Sequence, residues 1–390
     1  MNQRKFQADR LFTGYEFLDK SHVLILDEEC RVVEIVPEEL AGEGIEQYKG
    51  MLSPGLINTH CHLELSHMKD VIPPHTGLVD FLLNVVEKRE FPQEQILQSI
   101  EHAEKEMYRD GIVAVGDIGN TPNSIATKGK SSMIWNNFIE VISLTDANAE
   151  KNIQHYSSVL NQFEEASSLK GSCKSNLVPH APYTVSSKTL DLINELTEKK
   201  VVSMHNQENP HENELYRTGQ GDFLKLYKKF GMLESPIPAS GTSSLQSWLP
   251  HFNKQQTMLL VHNTFIAEDD IAFAQDHANK HLAGLHFCIC LNANLYIENA
   301  LPPIDMLLKH GARLTLGTDS YSSNWQLSIS AEIRAIRKHF PKLPLQLIMQ
   351  WATIEGAKAL GRDDVLGSFE KGKKPGVVLF DDQLQSSRIC

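Results

Sequence analysis

The stretch that decides the fold runs Leu52-Ser-Pro-Gly-Leu-Ile-Asn-Thr-His-Cys-His-Leu-Glu64. In a β-strand successive side chains alternate between faces, so His60 and His62 share one face and Cys61 takes the other. Two neutral imidazoles about 7 Å apart on one face can bind a single metal ion. A Pro-Gly turn signal and an apolar run precede them, which places the pair at the end of a buried strand. The pair is weak evidence alone, so the metal hypothesis depends on further donors elsewhere.

The composition excludes several classes of protein. The 390 residues can form one large domain with a smaller one. A hydrophobic content of 41% and a charged content of 22% are ordinary for a soluble globular enzyme. The net charge of -12 argues against nucleic acid or an anionic membrane as the main partner, because both require basic patches. No apolar run approaches the ~20 residues that span a bilayer.

The cysteines and the first ten residues indicate in which cell compartment the protein is expected. The six cysteines show neither a disulfide-framework spacing nor a zinc-ribbon spacing. Cys288 and Cys290 lie among alternating apolar residues, which favours core packing over a metal site. The first ten residues lack the apolar core of a signal peptide. We therefore expect a reduced, cytoplasmic protein, and a homodimer as the commonest assembly.

Apolar strand-like runs alternate with longer helical patterns beyond Leu52, as in β/α architectures. Helical stretches such as 93–108 and 187–199 separate most of the runs. The pattern predicts a (β/α)8 barrel of the TIM type, whose active site lies at the carboxyl ends of its strands. The eight strand candidates are residues 55–60, 111–117, 134–142, 176–180, 201–205, 258–262, 286–291 and 313–319.

Five of these runs end at residues that could face a common site, namely His60 with His62, His180, His205, His262 and Asp319. Burying such groups unpaired costs several kcal/mol, so chance placement at so many apolar strand ends is not expected. Four of them, His60, His62, His205 and Asp319, could bind one metal ion, leaving room for a water molecule. A bound metal lowers the pKa of that water toward 7, and Asp319 could act as its base.

Three further residues are candidates for the chemistry around the metal. His180 and His262 remain free to face the substrate and the water, although His180 could instead cap a turn between two prolines. Glu208 follows His205 by three residues and could carry a proton to the substrate. Its alternative role is that of an ordinary carboxylate at a helix start. Residues 213–256 contain Pro and Ser clusters and predict a lid-like insertion.

The order of these segments resembles that of the amidohydrolase superfamily, within its group of cytosine, guanine and adenosine-type deaminases and triazine hydrolases. The resemblance covers essentially the whole chain. The run 367–381 is similar to the closing segment of that family. The other matching segments are 54–62, 179–186, His205 to Glu208 with Glu212, Val261-His262, and 316–320.

The resemblance implies a barrel of residues 53–361 and a small β-sandwich built from residues 1–52 and 362–390. It implies one divalent metal ion, zinc or iron, held by His60, His62, His205 and Asp319. Glu208 would protonate a ring nitrogen, His262 would orient the attacking water, and His180 would contact the substrate. The absence of a strand-end lysine beside His180 argues against the two-metal branch.

Two local features bear on the substrate. The family's Cys-Pro-x-Ser-Asn motif is replaced by Cys290-Leu-Asn-Ala-Asn294, so Asn294 is expected to contact the substrate without the usual neighbours. Leu63-Glu64 resembles the aminofutalosine deaminase branch, and Glu64 could accept hydrogen bonds from a substrate amine or hydroxyl. Arg89 and Trp325 are weaker candidates for the pocket wall.

The resemblance implies that the protein is an aminohydrolase, which deaminates an amino-substituted N-heterocycle such as a purine or nucleoside derivative. Water and this small molecule are its expected partners. Hydrolysis of a ring amide or imidazolone, or displacement of a non-amine group, is the alternative. A non-catalytic binding protein is a third hypothesis, and the presence of all four metal donors argues against it.

Overall fold

The computed structural model describes residues 3–167 and 173–390 and shows a mixed α/β fold. Its first strands are β1 (Arg4–Phe12), β2 (Phe17–Asp19), β3 (His22–Leu26), β4 (Val32–Pro37), β5 (Ile45–Pro54), β6 (Leu56–Cys61), β7 (Ile112–Gly119) and β8 (Ile134–Val141). The others are β9 (Lys174–Pro179), β10 (Val201–Asn206), β11 (Thr257–His262), β12 (Gly284–Ile289), β13 (Leu314–Leu316), β14 (Val377–Phe380) and β15 (Ser386–Arg388).

Helices separate most strands. The first are α1 (Glu38–Ala41), α2 (Leu78–Lys88), α3 (Gln93–Arg109), α4 (Ile125–Lys130), α5 (Ala149–Ser167), α6 (Ser187–Leu196), α7 (Pro210–Thr218) and α8 (Phe223–Lys229). The others are α9 (Ser244–Trp248), α10 (Glu268–His281), α11 (Leu291–Ile297), α12 (Ile304–Lys309), α13 (Ile329–His339), α14 (Leu345–Trp351) and α15 (Ile354–Ala359). No helix in the described ranges has the length and apolarity needed to cross a membrane.

Two four-stranded parallel sheets contain the eight strands expected from the sequence. The first has the order β6-β7-β8-β9 and the second β10-β11-β12-β13. Their strands are almost entirely buried, as parallel strands covered by helices must be. A parallel bridge pairs Cys61 with Asp319, and His205 N donates to His180 O at 3.1 Å. These two contacts join the edges of the sheets.

Two strands end earlier than the sequence predicted, just before a polar residue of the expected site. The last of the eight strands, β13, stops at Leu316, and Asp319 lies beyond it with a φ of 58°. β9 stops at Pro179, one residue before His180. A left-handed residue cannot continue a strand, so Asp319 turns out of the sheet. His180 and Asp319 therefore lie on the turns that leave the carboxyl edges, whereas His60, His205 and His262 lie in the last residues of their strands.

The two ends of the chain share a third sheet. Its order is β15-β14-β5-β1-β3-β4, and β2 pairs with β1. β14 pairs antiparallel with β5, which confirms that the C-terminal segment returns to the N-terminal strands. The apolar side of the sheet forms its own cluster, which includes Phe6, Leu24 and Leu52.

A disulfide joins Cys30 to Cys390, contrary to the expectation that all six cysteines are reduced. The two residues are 360 positions apart, so no local spacing indicated the pair. Backbone hydrogen bonds lie close to both cysteines: Gly372 N donates to Val32 O, and Val377 N donates to Cys390 O. Cys61, Cys173, Cys288 and Cys290 are free thiols.

Candidate active site

Four side chains converge where the two parallel sheets meet. The potential ligand atoms of His60, His62, His205 and Asp319 all lie within 4.8 Å of one another. His62 Nε2 is 3.3 Å from His205 Nε2, and Asp319 Oδ1 is 3.4 Å from His62 Nε2 and 3.7 Å from His60 Nε2. The structure thus brings together all four residues that the sequence proposed as metal donors.

The donor atoms fit a divalent cation. Neither ring nitrogen of His60 has a hydrogen-bond partner among the described residues, although the side chain is fully buried. His205 Nδ1 donates to His180 O at 2.7 Å, so its Nε2 keeps a lone pair. Burial lowers the pKa of His62 to about 3, which keeps that ring neutral. Several unpaired lone pairs beside a carboxylate leave a site that a metal ion would satisfy.

Asp319 is held in an unusual backbone conformation. Thr318 N and Asp319 N both donate to His60 O, at 2.9 and 3.0 Å. Ser323 Oγ donates to Asp319 Oδ2 at 2.6 Å, which leaves Oδ1 directed at the histidines. A non-glycine residue with positive φ costs roughly 1 kcal/mol, and such strain is concentrated at functional sites.

Glu208 and His262 face each other beside the metal donors. Glu208 Oε1 is 3.6 Å from His262 Nε2. Burial, and then the negative charges of Asp319, Glu298 and Glu212, raise the pKa of Glu208 well above its usual range. Burial lowers the pKa of His262 to about 4. Burial therefore favours the protonated form of the carboxyl and the neutral form of the imidazole.

Asn294 lies against His262. Its Oδ1 accepts a hydrogen bond from His262 Nδ1 at 2.9 Å, so His262 Nε2 is left as an acceptor. Asn294 is 1% exposed and is not among the described residues that line the adjacent cavity. The structure therefore places Asn294 behind His262, where it orients the imidazole, and not at the substrate surface where the sequence placed it.

A buried polar network holds the loop that carries Glu208. Gln207 has a φ of 45°, and its backbone N donates to Glu212 Oε1 at 3.0 Å. Gln207 Nε2 donates to Asp270 Oδ2 at 2.5 Å. Ser244 Oγ donates to Glu212, and Ser243 Oγ donates to Asp270. Helices α7, α9 and α10 thereby fix the loop.

On the other side of the site lie two acidic residues. Glu64 Oε2 accepts hydrogen bonds from Asn120 N, Thr121 N and Thr121 Oγ1, at 3.1, 3.1 and 2.7 Å. Arg89 Nη2 is 3.8 Å from Glu64 Oε1. Burial raises the pKa of Glu64 to about 6 and that of Glu140 to about 7. Sequence reasoning missed Glu140, a single acidic residue near the end of the third apolar run.

His180 lies next to Glu140. Its Nε2 is 3.8 Å from Glu140 Oε2, and its Nδ1 is 2.8 Å from Thr184 Oγ1. The Thr184 hydroxyl donates to Ala181 O at 3.0 Å, so it accepts from His180 Nδ1. His180 is therefore fixed by Thr184, and its Nε2 is an acceptor directed toward Glu140.

A cavity of about 380 Å³ connects these groups. Its polar lining includes Glu64, Glu140, His180, Glu208, His262 and Asp319. Its apolar lining comes from α2, with Leu78, Phe81, Leu82 and Val85, and from α8 and the residues after it, with Leu226, Phe230 and Met232. Arg89 lines the cavity as expected. Trp325 is 47% exposed and packs on Tyr296.

Residues 51–388 match the Amidohydrolase family. The chain belongs to the amidohydrolase family. The resemblance inferred from the sequence is thus confirmed, and this amidohydrolase is a hydrolase acting on C–N bonds.

Named relatives of this amidohydrolase are deaminases. The chain is 26% identical over 350 residues to a 5-methylthioadenosine/S-adenosylhomocysteine deaminase of Teredinibacter turnerae, covering 85% of this chain and 72% of that one. It is 27% identical over 349 residues to an aminodeoxyfutalosine deaminase of Nitratiruptor sp., covering 85% and 79%. Helicobacter pylori aminofutalosine deaminase, solved in complex with methylthio-coformycin, has a TM-score of 0.83 at 21% identity, covering 97% and 92%.

Proposed function

We propose that this amidohydrolase removes an amino group from an N-heterocycle, of the purine or purine-nucleoside class, by hydrolysis. The observation that carries the proposal is a buried Glu208 carboxyl 3.6 Å from His262 Nε2, on a cavity that His62, His205 and Asp319 of the four metal donors also line. Deamination needs an acid for the ring nitrogen and a base for water in one place. The named relatives act on adenosine derivatives, which supports the substrate class.

We propose that His60, His62, His205 and Asp319 hold one divalent ion. Three imidazoles and one carboxylate suit zinc, and Fe²⁺ is the alternative. When bound, such an ion supplies a Lewis acid that activates water toward the amino-bearing ring carbon. Because the four donors come from both parallel sheets, the ion site lies at the junction of the sheets.

The protein groups then divide the proton transfers. Glu208 gives its proton to the ring nitrogen next to the carbon under attack. His262 Nε2 accepts a hydrogen bond from the attacking water and orients it, while Asn294 fixes the tautomer of His262. Asp319 Oδ1 takes a proton from that water and passes it to the departing amino group, which leaves as ammonia, while the new hydroxyl returns its proton to Glu208 as the carbonyl forms. His180 and Glu64 contact the substrate from the opposite wall of the cavity.

We also propose that the two parallel sheets close into one (β/α)8 barrel. The bridge between Cys61 and Asp319 and the hydrogen bond between His205 and His180 support closure at both edges. The barrel would comprise residues 53–361. Residues 1–52 and 362–390, which share the terminal sheet, would form the small β-sandwich domain.

Ammonia release tests the proposed reaction. We expect the zinc-loaded protein to release ammonia from members of a panel of aminopurines, adenosine derivatives, pterins and aminopyrimidines. Glu208→Gln should abolish turnover, a loss of at least about a hundredfold, while metal content stays equal to wild type, because the amide cannot donate the proton. Turnover retained by Glu208→Gln would remove that residue from the mechanism.

The same panel separates the alternatives. Hydrolysis of ring amides or imidazolones, or displacement of other groups without ammonia release, would replace deamination by the alternative reaction at the same site. A protein that binds no metal and turns over none of the compounds would support the non-catalytic hypothesis. The cluster of four buried donors argues against that outcome.

A further inference from the structure

The two parallel sheets contribute different chemistry to the cavity. Glu208, His262 and Asp319 follow strands of the second sheet, and they form the acid, the base and part of the ion site. Glu64, Glu140 and His180 come from the first sheet and line the facing wall. The proposed mechanism uses Glu64 and His180 for binding but leaves Glu140 without a role.

Asn120 fixes both acidic residues of this wall. Its backbone N donates to Glu64 Oε2 at 3.1 Å, and its Nδ2 donates to Glu140 Oε1 at 3.0 Å. Arg89 Nη2 reaches Asn120 Oδ1 at 3.5 Å and so orients the amide. Each carboxyl group is therefore held through one oxygen.

The other oxygen of Glu140 has no hydrogen-bond donor among the described residues. Glu140 is 5% exposed, lines the cavity, and its Oε2 is buried without a partner. His180 Nε2 lies 3.8 Å from this oxygen, and that nitrogen is an acceptor because Nδ1 donates to Thr184. A buried carboxyl oxygen without a hydrogen-bond partner, on the wall of a cavity, leaves a place for a hydroxyl group of a ligand.

We propose that Glu140 is a further substrate-binding residue, whose Oε2 accepts a hydrogen bond from a ribose hydroxyl of the substrate, and that Asn120 is its positioning residue. The inference rests on the proposed deamination. It assigns ribonucleosides, in preference to deoxyribonucleosides or free bases, as the substrate class. The heterocycle lies toward Glu208, and the sugar lies toward the wall formed by the first sheet.

Substrates that lack one hydroxyl test this contact. The values of kcat/KM for adenosine, 2′-deoxyadenosine and 3′-deoxyadenosine are compared in wild type and in Glu140→Gln, which has nearly the same shape. Wild type should prefer adenosine by about tenfold or more over the analogue that lacks the contacted hydroxyl. Glu140→Gln should lower kcat/KM for adenosine by a similar factor and leave the value for that analogue within about threefold.

Asn120→Ala provides the test of positioning. It should weaken the preference for adenosine in wild type but change it little in the Glu140→Gln background, because it acts through Glu140. Thermal midpoint and metal content, measured on each variant, show that the fold and the ion site are retained.

Three results would overturn the role of Glu140 but leave the proposed deamination standing. These are equal losses for adenosine and both analogues in Glu140→Gln, a wild type without preference among the three, and a wild type that releases ammonia from free bases but not from nucleosides. In each of these cases deamination stands. Absence of ammonia release from every compound of the panel would instead overturn the proposed function.

Discussion

At the scale of single residues, burial prepares the acid and the bases of the site by one physical effect. Low polarity disfavours the charged form of any group. It therefore raises the pKa of Glu208 above its usual range and lowers the pKa of His62 to about 3 and that of His262 to about 4. Burial thus favours a carboxyl that can donate a proton and imidazoles with lone pairs for a cation or for water.

Burial also shifts the pKa of a histidine outside the site, and this shift predicts that the stability of the protein depends on pH. His286 on β12 is 2% exposed, and burial lowers its pKa to about 3, with Arg313 and Lys358 adding to the effect. The pKa of His286 in the folded protein lies below its value of about 6.5 in the unfolded chain. Its contribution to the free energy of unfolding is therefore complete above pH 6.5 and is lost as the pH falls toward 3. At pH 5 the loss is about 2 kcal/mol.

Urea unfolding of wild type and His286→Gln at pH 8 and pH 5 measures this loss. Between the two pH values, the free energy of unfolding of the variant should fall by about 2 kcal/mol less than that of wild type, whatever the stability of the variant at pH 8. His102→Gln is the control, since the His102 side chain is 73% exposed and should leave the pH dependence unchanged. Equal pH dependence of wild type and His286→Gln would contradict the prediction.

At the scale of elements, the insertion expected from the sequence serves two separate purposes. Its first part, α8 with Phe230 and Met232, lines the cavity, as the expected lid would. Its last part, α9, lies behind the catalytic loop, where Ser243 and Ser244 donate to Asp270 and Glu212. Those two acidic residues hold Gln207, the neighbour of Glu208.

Ser244→Ala should therefore impair catalysis without touching the cavity. We expect kcat to fall roughly tenfold or more, with KM within about twofold, because a small displacement of the acid is costly for proton transfer. Ser247→Ala is the matched control on the same helix, since Ser247 Oγ donates to Ser243 O at 2.8 Å and not to the acidic pair. A Ser244→Ala variant with the kcat of wild type would show that the network does not position Glu208.

At the scale of the whole molecule, the proposed ion links parts of the chain that are far apart in sequence. His60 and His62 follow the first parallel sheet, and His205 and Asp319 follow the second. An ion held by all four donors would cross-link the sheets, and any ligand that binds only the folded state stabilises it.

Removal of the metal should lower the thermal midpoint. A chelator should reduce Tm by several degrees, and added zinc should restore it, because binding at a thousand times Kd contributes about 4 kcal/mol. Glu208→Gln should show the same shift, since it retains the four donors. If Tm is the same with and without bound metal, the four residues do not hold a stabilising ion.

Much of the site was readable from the sequence because its residues follow strands. The eight apolar runs are strands in the structure, and His60, His62, His205 and Asp319 meet at their ends. Asn294 was misplaced because its contact with His262 depends on the packing of α11 against the end of β11. Glu140 was missed because a single acidic residue in an apolar run carries no spacing signal.

The sequence by itself determined the alternation of strands and helices, the family and the candidate metal donors, because local periodicity, strand-end residues and family motifs are properties of short segments. Only the tertiary structure decided which oxygens and nitrogens lack partners, which acidic residues have a pKa raised by burial, and that Cys30 meets Cys390. Those properties depend on contacts between segments far apart in the chain, and no local pattern encodes them.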